Sequence, residues 1–262
     1  MSSKPIGVFD SGVGGTSIWK EIQKLLPNED TIYLADSKNA PYGEKSQEEI
    51  LQLSIKNTEL LLEKGCKLIV VACNTATTNA ISNLRAQYKV PFIGIEPAIK
   101  PAALQSKSKT VGVLATKGTL ASSLFHSTSE NHANGIKIIE QEGTGLVPLI
   151  ESGKVATEET INLLNTYISP MLEQDMDHLV LGCTHYPYLI PTLKSILPDH
   201  VKIIDSGEAV ARQVKAVLEK KDLLNTSNNS AIHELFTNIN PQVLESFVND
   251  VEATLSVQRL DF

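Results

Sequence analysis

Two cysteines in this sequence stand in matching surroundings. Cys73 comes just after an apolar run at residues 68–72, and Cys183 comes just after a similar run at residues 178–181. Each cysteine is followed by hydrogen-bonding residues, Asn-Thr in one case and Thr-His in the other, where a helix should begin. Ligands of parallel α/β proteins bind at this edge of the sheet, and a helix N-terminus favours thiolate over thiol. The pattern therefore predicts a pair of reactive thiols.

Few kinds of chemistry suit two matched thiols. A disulfide is one option, but there is no C-x-x-C motif, and zinc would require three or four ligands where His185 adds only one. A thiol hydrolase that uses Cys73 with His185 would need only one of the two cysteines. Two thiols related by a pseudo-twofold axis can instead flank one carbon, so that one removes a proton while the other delivers one. This is two-base inversion of a stereocentre. Cys66, which follows Gly65, is interpreted as a packing residue.

A glycine-rich turn, Asp10-Ser-Gly-Val-Gly-Gly, lies between a predicted strand and a predicted helix. Its glycines permit a tight turn, and the following helix would present unpaired N–H groups to an anion. A dinucleotide fingerprint needs G-x-G-x-x-G, but Ser17 occupies the last position here, and there is no G-K-[ST] motif. An alternative function of a different class is a nucleotide- or phosphate-binding module that uses this turn.

Short β-branched runs alternate with helical patterns along the chain. Several of these runs are apolar throughout, which is typical of strands buried on both faces. The alternation predicts parallel sheets with right-handed crossovers. The predicted strands are residues 5–9, 31–35, 68–72, 92–95, 111–114, 136–140, 178–181 and 201–204.

Capping signals mark several of the predicted helices. Ser46-Gln-Glu-Glu is a capping box that opens a helix ending near Gly65. Thr157 opens another helix, which Pro170 should kink or end. Ser206 is predicted to cap a later helix with its side chain.

The chain contains an internal echo. Ile6-Gly-Val-Phe resembles Val111-Gly-Val-Leu, and the surroundings of Cys73 resemble those of Cys183, with nearly equal stretches of chain between the members of each pair. The fold class predicted is α/β, with two similar parallel-sheet α/β domains related by pseudo-twofold symmetry and the active site in the cleft between them. Residues 232–237 are predicted as an edge strand and residues 241–251 as a helix, both packed on the first copy. The domains expected are therefore 1–96 plus 208–262, and 97–207.

Composition excludes several classes of protein. The chain has 262 residues, 42% of them hydrophobic, and a net charge of −7 from 23 basic and 30 acidic residues. Hydrophobic residues at this level argue against disorder, and the acidic balance argues against a nucleic-acid partner. No apolar run approaches the ~20 residues of a membrane span, and the N-terminal apolar stretch is too short for a secretory signal. A cytoplasmic protein with free thiols is expected, with no membrane partner.

Six motifs together closely resemble the aspartate/glutamate racemase family, and glutamate racemases in particular. The resemblance implies a cofactor-independent bacterial isomerase that interconverts L- and D-glutamate, without a metal, and supplies D-glutamate for peptidoglycan and cell-wall synthesis. It also implies a homodimer. The motifs are Asp10-Ser-Gly-Val-Gly-Gly, Pro41-Tyr-Gly, Ala72-Cys-Asn-Thr-Ala-Thr, Gly94-Ile-Glu-Pro-Ala, Leu181-Gly-Cys-Thr-His-Tyr-Pro and Asp205-Ser-Gly.

The resemblance also implies roles for individual residues. Cys73 and Cys183 match the two acid/base thiols, which act on D- and L-glutamate respectively, and Asp10, His185 and Glu151 match supporting catalytic residues. His185 favours glutamate over aspartate, because the aspartate-specific relatives tend to have Glu at this position. The chain departs from the family at Thr237-Asn-Ile-Asn, where a Thr-Gly-Asp-like turn is usual. The residues that match substrate-binding positions are Asp10, Ser11, Pro41, Tyr42, Gly43, Asn74, Thr75, Thr116, Thr184 and His185.

Overall fold

The computed structural model describes residues 3–132, 135–227 and 230–262. Residues 1, 2, 133, 134, 228 and 229, which the predicted domains include, lie outside the described residues. The strands in the described chain are β1 (Ile6–Asp10), β2 (Thr31–Ala35), β3 (Leu68–Val71), β4 (Phe92–Gly94), β5 (Thr110–Ala115), β6 (Lys137–Glu142), β7 (His178–Gly182), β8 (Lys202–Ile204), β9 (Ile232–Thr237) and β10 (Thr254–Arg259).

These strands form two parallel sheets, as the sequence predicts. One sheet has the order β10-β9-β2-β1-β3-β4, and the other has the order β6-β5-β7-β8. β1 and β3 are neighbours in the interior of the first sheet, and β5 and β7 are neighbours in the interior of the second. Because all described pairs are parallel, the carboxyl ends of these four strands lie at one edge of each sheet.

Helices connect the strands and follow the sequence signals closely. The capping box at Ser46 opens α2, and α8 ends at Leu172, within one turn of Pro170. The α-helices in the described chain are α1 (Thr16–Leu25), α2 (Gln47–Glu63), α3 (Asn74–Gln87), α4 (Ile99–Gln105), α5 (Lys117–Leu120), α6 (Ser123–His132), α7 (Leu146–Glu151), α8 (Glu158–Leu172), α9 (Ile190–Ile196), α10 (Gly207–Lys220) and α11 (Pro241–Ser246). Short 3-10 helices span Ser37–Asn39, Tyr42–Glu44 and Tyr186–Leu189.

One predicted cap is wrong. The Ser206 side chain makes no capping bond to α10 and instead donates a hydrogen bond to the carbonyl oxygen of Glu96, 2.6 Å away. The carboxylate of Asp205 accepts from the N–H of Gly207 at 2.8 Å and satisfies the helix end in its place. Ser206 therefore joins two stretches of chain that are far apart in sequence.

The C-terminal segment departs from its predicted form. β9 has the predicted bounds, but it lies inside the sheet between β2 and β10 rather than at the edge. β10 forms the edge of the sheet and was not predicted, although its residues alternate between polar and apolar as in a half-buried strand. The helix α11 ends at Ser246, short of the predicted residue 251. The division of the chain into domains at residues 96 and 207 stays a prediction.

A continuous apolar core supports the edge where the strands end. β1, β3, β5 and β7 are buried along their whole length, whereas β6 is partly exposed. One buried cluster includes Trp19 of α1, Val214 of α10 and Leu181 of β7, so it continues from one sheet to the other. Each fully buried aliphatic side chain contributes about 1.5–3 kcal/mol. No helix in the described parts of the chain is both long and apolar enough to cross a membrane.

Candidate active site

Four strand ends bring the predicted catalytic residues together. Asp10 is the last residue of β1, and Cys73 lies two positions beyond β3 at the start of α3. Thr116 follows β5, and Cys183 follows β7 directly. The two cysteines therefore occupy corresponding places in the two sheets. Both thiols are free and buried.

The Cys73 thiol is held by the start of α3. Its sulfur accepts a hydrogen bond from the N–H of Ala76 at 3.4 Å and lies 3.6 Å from the Ser11 hydroxyl. Burial raises the pKa of Cys73 far above its ordinary value, and the nearby negative charge of Asp10 raises it further. The bond from Ala76 lowers this pKa only in part. In the resting site Cys73 is therefore a protonated thiol, ready to donate.

The Cys183 thiol has a different partner. Its sulfur lies 3.8 Å from Nδ1 of His185, whose Nε2 lies 2.6 Å from Oε1 of Glu151. Burial lowers the pKa of His185, but the hydrogen bonds to Cys183 and Glu151 outweigh it, and the pKa stands well above its usual value. The ring can therefore share a proton with the Cys183 sulfur while Glu151 fixes its orientation.

The glycine-rich turn serves a different purpose from the one predicted. Its N–H groups donate to the protein's own carboxylates: Gly15 to Asp10 at 2.8 Å, and Val13 to Glu151 at 2.8 Å. A Cβ atom on Gly12 would collide with the Glu151 carboxylate, and one on Gly14 would collide with the His185 ring. Glycine is needed because these side chains approach the turn so closely. Because the protein's own carboxylates already accept from these N–H groups, the turn is not free to bind a phosphate, which argues against a nucleotide- or phosphate-binding module.

Asp10 lies between the two halves of the site. Its Oδ2 accepts from the N–H groups of Gly15 and Gly12, at 2.8 and 3.3 Å, and its Oδ1 accepts from the Thr184 hydroxyl at 3.3 Å. The residue is fully buried, and burial raises the pKa of its carboxyl group. The charge of His185 and the bond from Gly15 oppose that rise in part. Asp10 is thus a buried carboxylate that contacts both sheets.

The raised pKa of Asp10 predicts a pH-dependent gain from Asp10→Asn. The unfolded chain releases this proton near pH 4, before the folded chain does, so the wild-type protein loses stability as the pH rises from there to the folded pKa. The amide keeps the shape and can still accept from Gly15. At pH 7 we expect Asp10→Asn to melt higher than wild type, by about 2–4 °C for each 1 kcal/mol gained in the free energy of unfolding. Below about pH 4 we expect the two proteins to melt at the same temperature. Melting followed by circular dichroism across this range checks it; a lower melting point at pH 7 would show that the charge stabilises the fold.

Further polar groups surround the two thiols. Asn74 is buried, and neither atom of its side-chain amide has a hydrogen-bond partner within the described chain. Buried amides are almost always satisfied, so this one indicates a group that a ligand would complete. The hydroxyls of Thr75 and Thr116 are 2.8 Å apart and join the two halves of the site. Thr119, which the sequence analysis missed because no motif marks it, contacts both hydroxyls at 3.0–3.3 Å.

The Pro41–Gly43 turn closes the rim. Gly43 packs on Thr116 so closely that a Cβ atom would lie 2.9 Å from the threonine Cβ. Pro41, Gly43 and Thr116 line one side of a small pocket whose opposite side is formed by residues 142–145, and neither thiol lines it. The phenol of Tyr42 points elsewhere: it is buried and donates to Asp36 at 2.5 Å.

Hydrogen bonds link the residues around Cys73 to those that follow β5 and β7, whereas the phenol of Tyr42 faces Asp36 instead. Within the described residues, no group of three His, Cys, Asp or Glu side chains is arranged to hold a metal ion. The arrangement offers two thiols with separate proton partners, one beside a carboxylate and one beside an imidazole. Such a site can remove a proton from one face of a small molecule and supply one to the other.

Comparison with known proteins agrees with this geometry. The sequence model of the Asp/Glu/Hydantoin racemase family matches residues 6–214. A glutamate racemase of Ectopseudomonas mendocina is 50% identical over 227 residues, which are 86% of each chain. The crystal structure of a glutamate racemase from Bacillus anthracis superposes with a TM-score of 0.90 at 31% identity, covering 100% of this chain and 99% of that one. That of a Francisella tularensis glutamate racemase in complex with D-glutamate gives a TM-score of 0.84 at 29% identity, covering 98% of both chains.

Fold and comparisons together define the class of this protein. Two parallel α/β sheets with a thiol at corresponding strand ends are the arrangement of an amino-acid racemase, a type of isomerase. This chain belongs to the Asp/Glu/Hydantoin racemase family.

Proposed function

We propose that this protein interconverts L- and D-glutamate without a cofactor, using Cys73 and Cys183 as its two acid/base groups. The observation that carries the proposal is the pair of buried, free thiols at corresponding strand ends, each with its own proton partner. The glutamate racemases that resemble the chain over most of its length support glutamate as substrate. The D-glutamate complex of the Francisella tularensis relative supports it further.

The two thiols differ in a way that suits proton transfer from L- to D-glutamate. The Cys183 sulfur, beside the His185 ring, removes the α-proton from one face. The Cys73 thiol donates its proton to the opposite face. Burial and the nearby charge of Asp10 raise the pKa of this thiol, so it carries a proton to give. In the reverse direction the roles exchange, so Cys73 takes the proton of D-glutamate. The carbanion between these steps has no pyridoxal ring to accept its charge, so the buried polar groups must stabilise it.

Several groups around the thiols are suited to hold the substrate. The Asp10 carboxylate can accept the α-ammonium group. The unpartnered amide of Asn74 and the hydroxyls of Ser11, Thr75 and Thr184 can bind the carboxylates, together with the backbone of the Pro41–Gly43 turn. Thr116 extends this set, and His185 contributes from the other wall. The proposal also includes a cytoplasmic role supplying D-glutamate for peptidoglycan, and a homodimer, which sedimentation of the purified protein would test.

Aspartate is the nearest competing substrate. His185 is the feature that favours glutamate, because the aspartate-specific relatives tend to have Glu at this position. A polarimetric assay with each enantiomer of both amino acids, without added cofactor, decides between them: we expect optical rotation to decay to zero only with glutamate. Decay with aspartate alone would overturn the choice of substrate.

The same assay in heavy water tests for two bases. With two bases, the base that removes the α-proton does not exchange it with solvent before product forms, and a separate donor on the other face supplies deuterium. Solvent deuterium therefore enters the inverted product first. We expect mass spectrometry to find deuterium in the product before it appears in the remaining substrate. Early label in unreacted substrate would indicate a single base.

A further inference from the structure

The sequence Thr237-Asn-Ile-Asn, which departs from the family pattern, places the Asn238 side chain close to the loop that leads into the Pro41–Gly43 turn. Asn238 follows β9 and is 3% exposed, and its amide contacts two separate stretches of chain, the loop after β2 and the C-terminal end. The NH2 group donates to Oδ1 of Asp36 at 2.6 Å and to the carbonyl oxygen of Phe262 at 3.2 Å. The amide oxygen accepts from the N–H of Lys38 at 2.8 Å. Asn238 thus joins the C-terminal segment to the loop after β2.

Asp36 links Asn238 to the Pro41–Gly43 turn through the side chain of Tyr42. Its Oδ2 accepts the phenol hydrogen of Tyr42 at 2.5 Å, and its Oδ1 also accepts from the Asn39 amide at 2.8 Å. The Asn57 amide of α2 donates to the same phenol oxygen at 3.1 Å. Asp36, Tyr42 and Asn57 are all at most 2% exposed. The network is therefore dry, and hydrogen bonds to a buried carboxylate are among the strong ones.

The turn that this network holds is the one that contacts the second half of the site. Gly43 abuts Thr116, and Thr116 is bonded to Thr75. A shift of the turn would therefore displace Thr116 and, through it, Thr75, both of which the proposed function places at the substrate. The thiols have other partners: Ser11 and Ala76 for Cys73, and His185 for Cys183.

We propose that Asn238 is a positioning residue for substrate: through Asp36 and the Tyr42 phenol it sets the position of the Pro41–Gly43 turn. This inference rests on the proposed glutamate racemase function. The chain of contacts runs Asn238–Asp36–Tyr42, so loss of either end removes one of the bonds that fix the Tyr42 phenol and loosens the turn. Because the acid/base thiols are supported elsewhere, substrate binding is the step that depends on this chain.

The experiment compares KM and kcat for both glutamate enantiomers in four variants of the full chain. Asn238→Ala and Tyr42→Phe each break one link, and we expect each to raise KM about tenfold with kcat within about twofold of wild type. The double variant should be no worse than the worse single variant, because both substitutions act on one chain of contacts. Asn240→Ala is the matched control. Asn240 lies in the same C-terminal turn and only caps α11, so its loss should lower the melting point and leave KM unchanged.

Three results would overturn the inference. One is a wild-type KM in Asn238→Ala despite a lowered melting point, which would give Asn238 a structural role only. The second is multiplication of the two KM effects in the double variant, which would place Asn238 and Tyr42 on separate paths. The third is an unchanged KM in Tyr42→Phe, which removes a single oxygen and decides the matter even if Asn238→Ala does not fold. Absence of racemase activity in the wild-type protein would contradict the proposed function instead.

Discussion

Cys73→Ser and Cys183→Ser are each expected to lower kcat for glutamate racemisation by about a thousandfold in both directions. Positioned acid/base groups contribute typically 10²–10⁴-fold, and a serine hydroxyl is a far poorer base than a thiolate. Either replacement should stop both directions, because each turnover needs one thiol to remove a proton and the other to donate one. The hydroxyl is smaller than the thiol, so the surrounding bonds from Ala76 and His185 have room to stay in place.

Cys66→Ser is the matched control for these variants. Cys66 is also free and buried, and burial raises its pKa to about 12, but its sulfur packs on Gly7 and Leu61 away from the site. We expect this variant to lose stability and keep the wild-type kcat. The rate of racemisation by all three variants is measured by circular dichroism, with each glutamate enantiomer in turn as the starting substrate. Unchanged racemisation in Cys73→Ser or Cys183→Ser would refute the two-thiol assignment.

Gly14→Ala is expected to lower kcat about a hundredfold by displacing His185. The new Cβ atom would overlap three ring atoms of the imidazole. The turn cannot retreat easily, because the carbonyl of Gly14 accepts from Ser17 at 3.0 Å and the neighbouring N–H of Val13 is bonded to Glu151. The ring must move instead, and a misplacement of about 1 Å in a catalytic group can cost 10²-fold. The proton partner of Cys183 would then be lost without any change to the catalytic side chains.

Gly207→Ala provides the control for Gly14→Ala. Its Cβ atom would lie 3.1 Å from the Asp205 carboxylate and 3.3 Å from Cγ of Glu21, both on side chains that can adjust. We expect a kcat close to wild type. Kinetics and melting points of both variants separate the local effect from a loss of fold. A folded Gly14→Ala protein with full kcat would show that the contact between turn and imidazole does not matter for catalysis.

The central part of the site could be predicted from sequence because its signals are local. A cysteine between a buried strand and a helix start is visible in a few residues, and its recurrence at Cys183 exposes the duplication. The predicted bounds of β2 and β9 are confirmed, because β-branched and aromatic residues mark both short segments. The carboxyl ends of parallel strands then bring Asp10, Cys73, Thr116 and Cys183 together without further information.

The missed features depend on contacts between distant parts of the chain. The glycine turn looks like an anion site in isolation, and only the folded chain shows that Glu151 and Asp10 already occupy its N–H groups. The direction of the Tyr42 side chain depends on Asp36 and Asn238, and the latter joins the sheet from the C-terminal segment. β10 pairs with β9 along its whole length, and its short alternating pattern alone does not show which strand it pairs with.

The most direct test of the central claim uses a substrate that needs only one base. A glutamate analogue with chlorine at Cβ loses its α-proton and chloride together, giving an enamine that hydrolyses to a 2-oxo acid and ammonia. This elimination requires proton removal but no donor on the opposite face. We expect Cys73→Ser to eliminate chloride from the L-analogue and not from the D-analogue, and Cys183→Ser to do the reverse, with chloride release as the readout. Loss of both eliminations in either variant, or retention of both, would contradict the assignment of one thiol to each enantiomer.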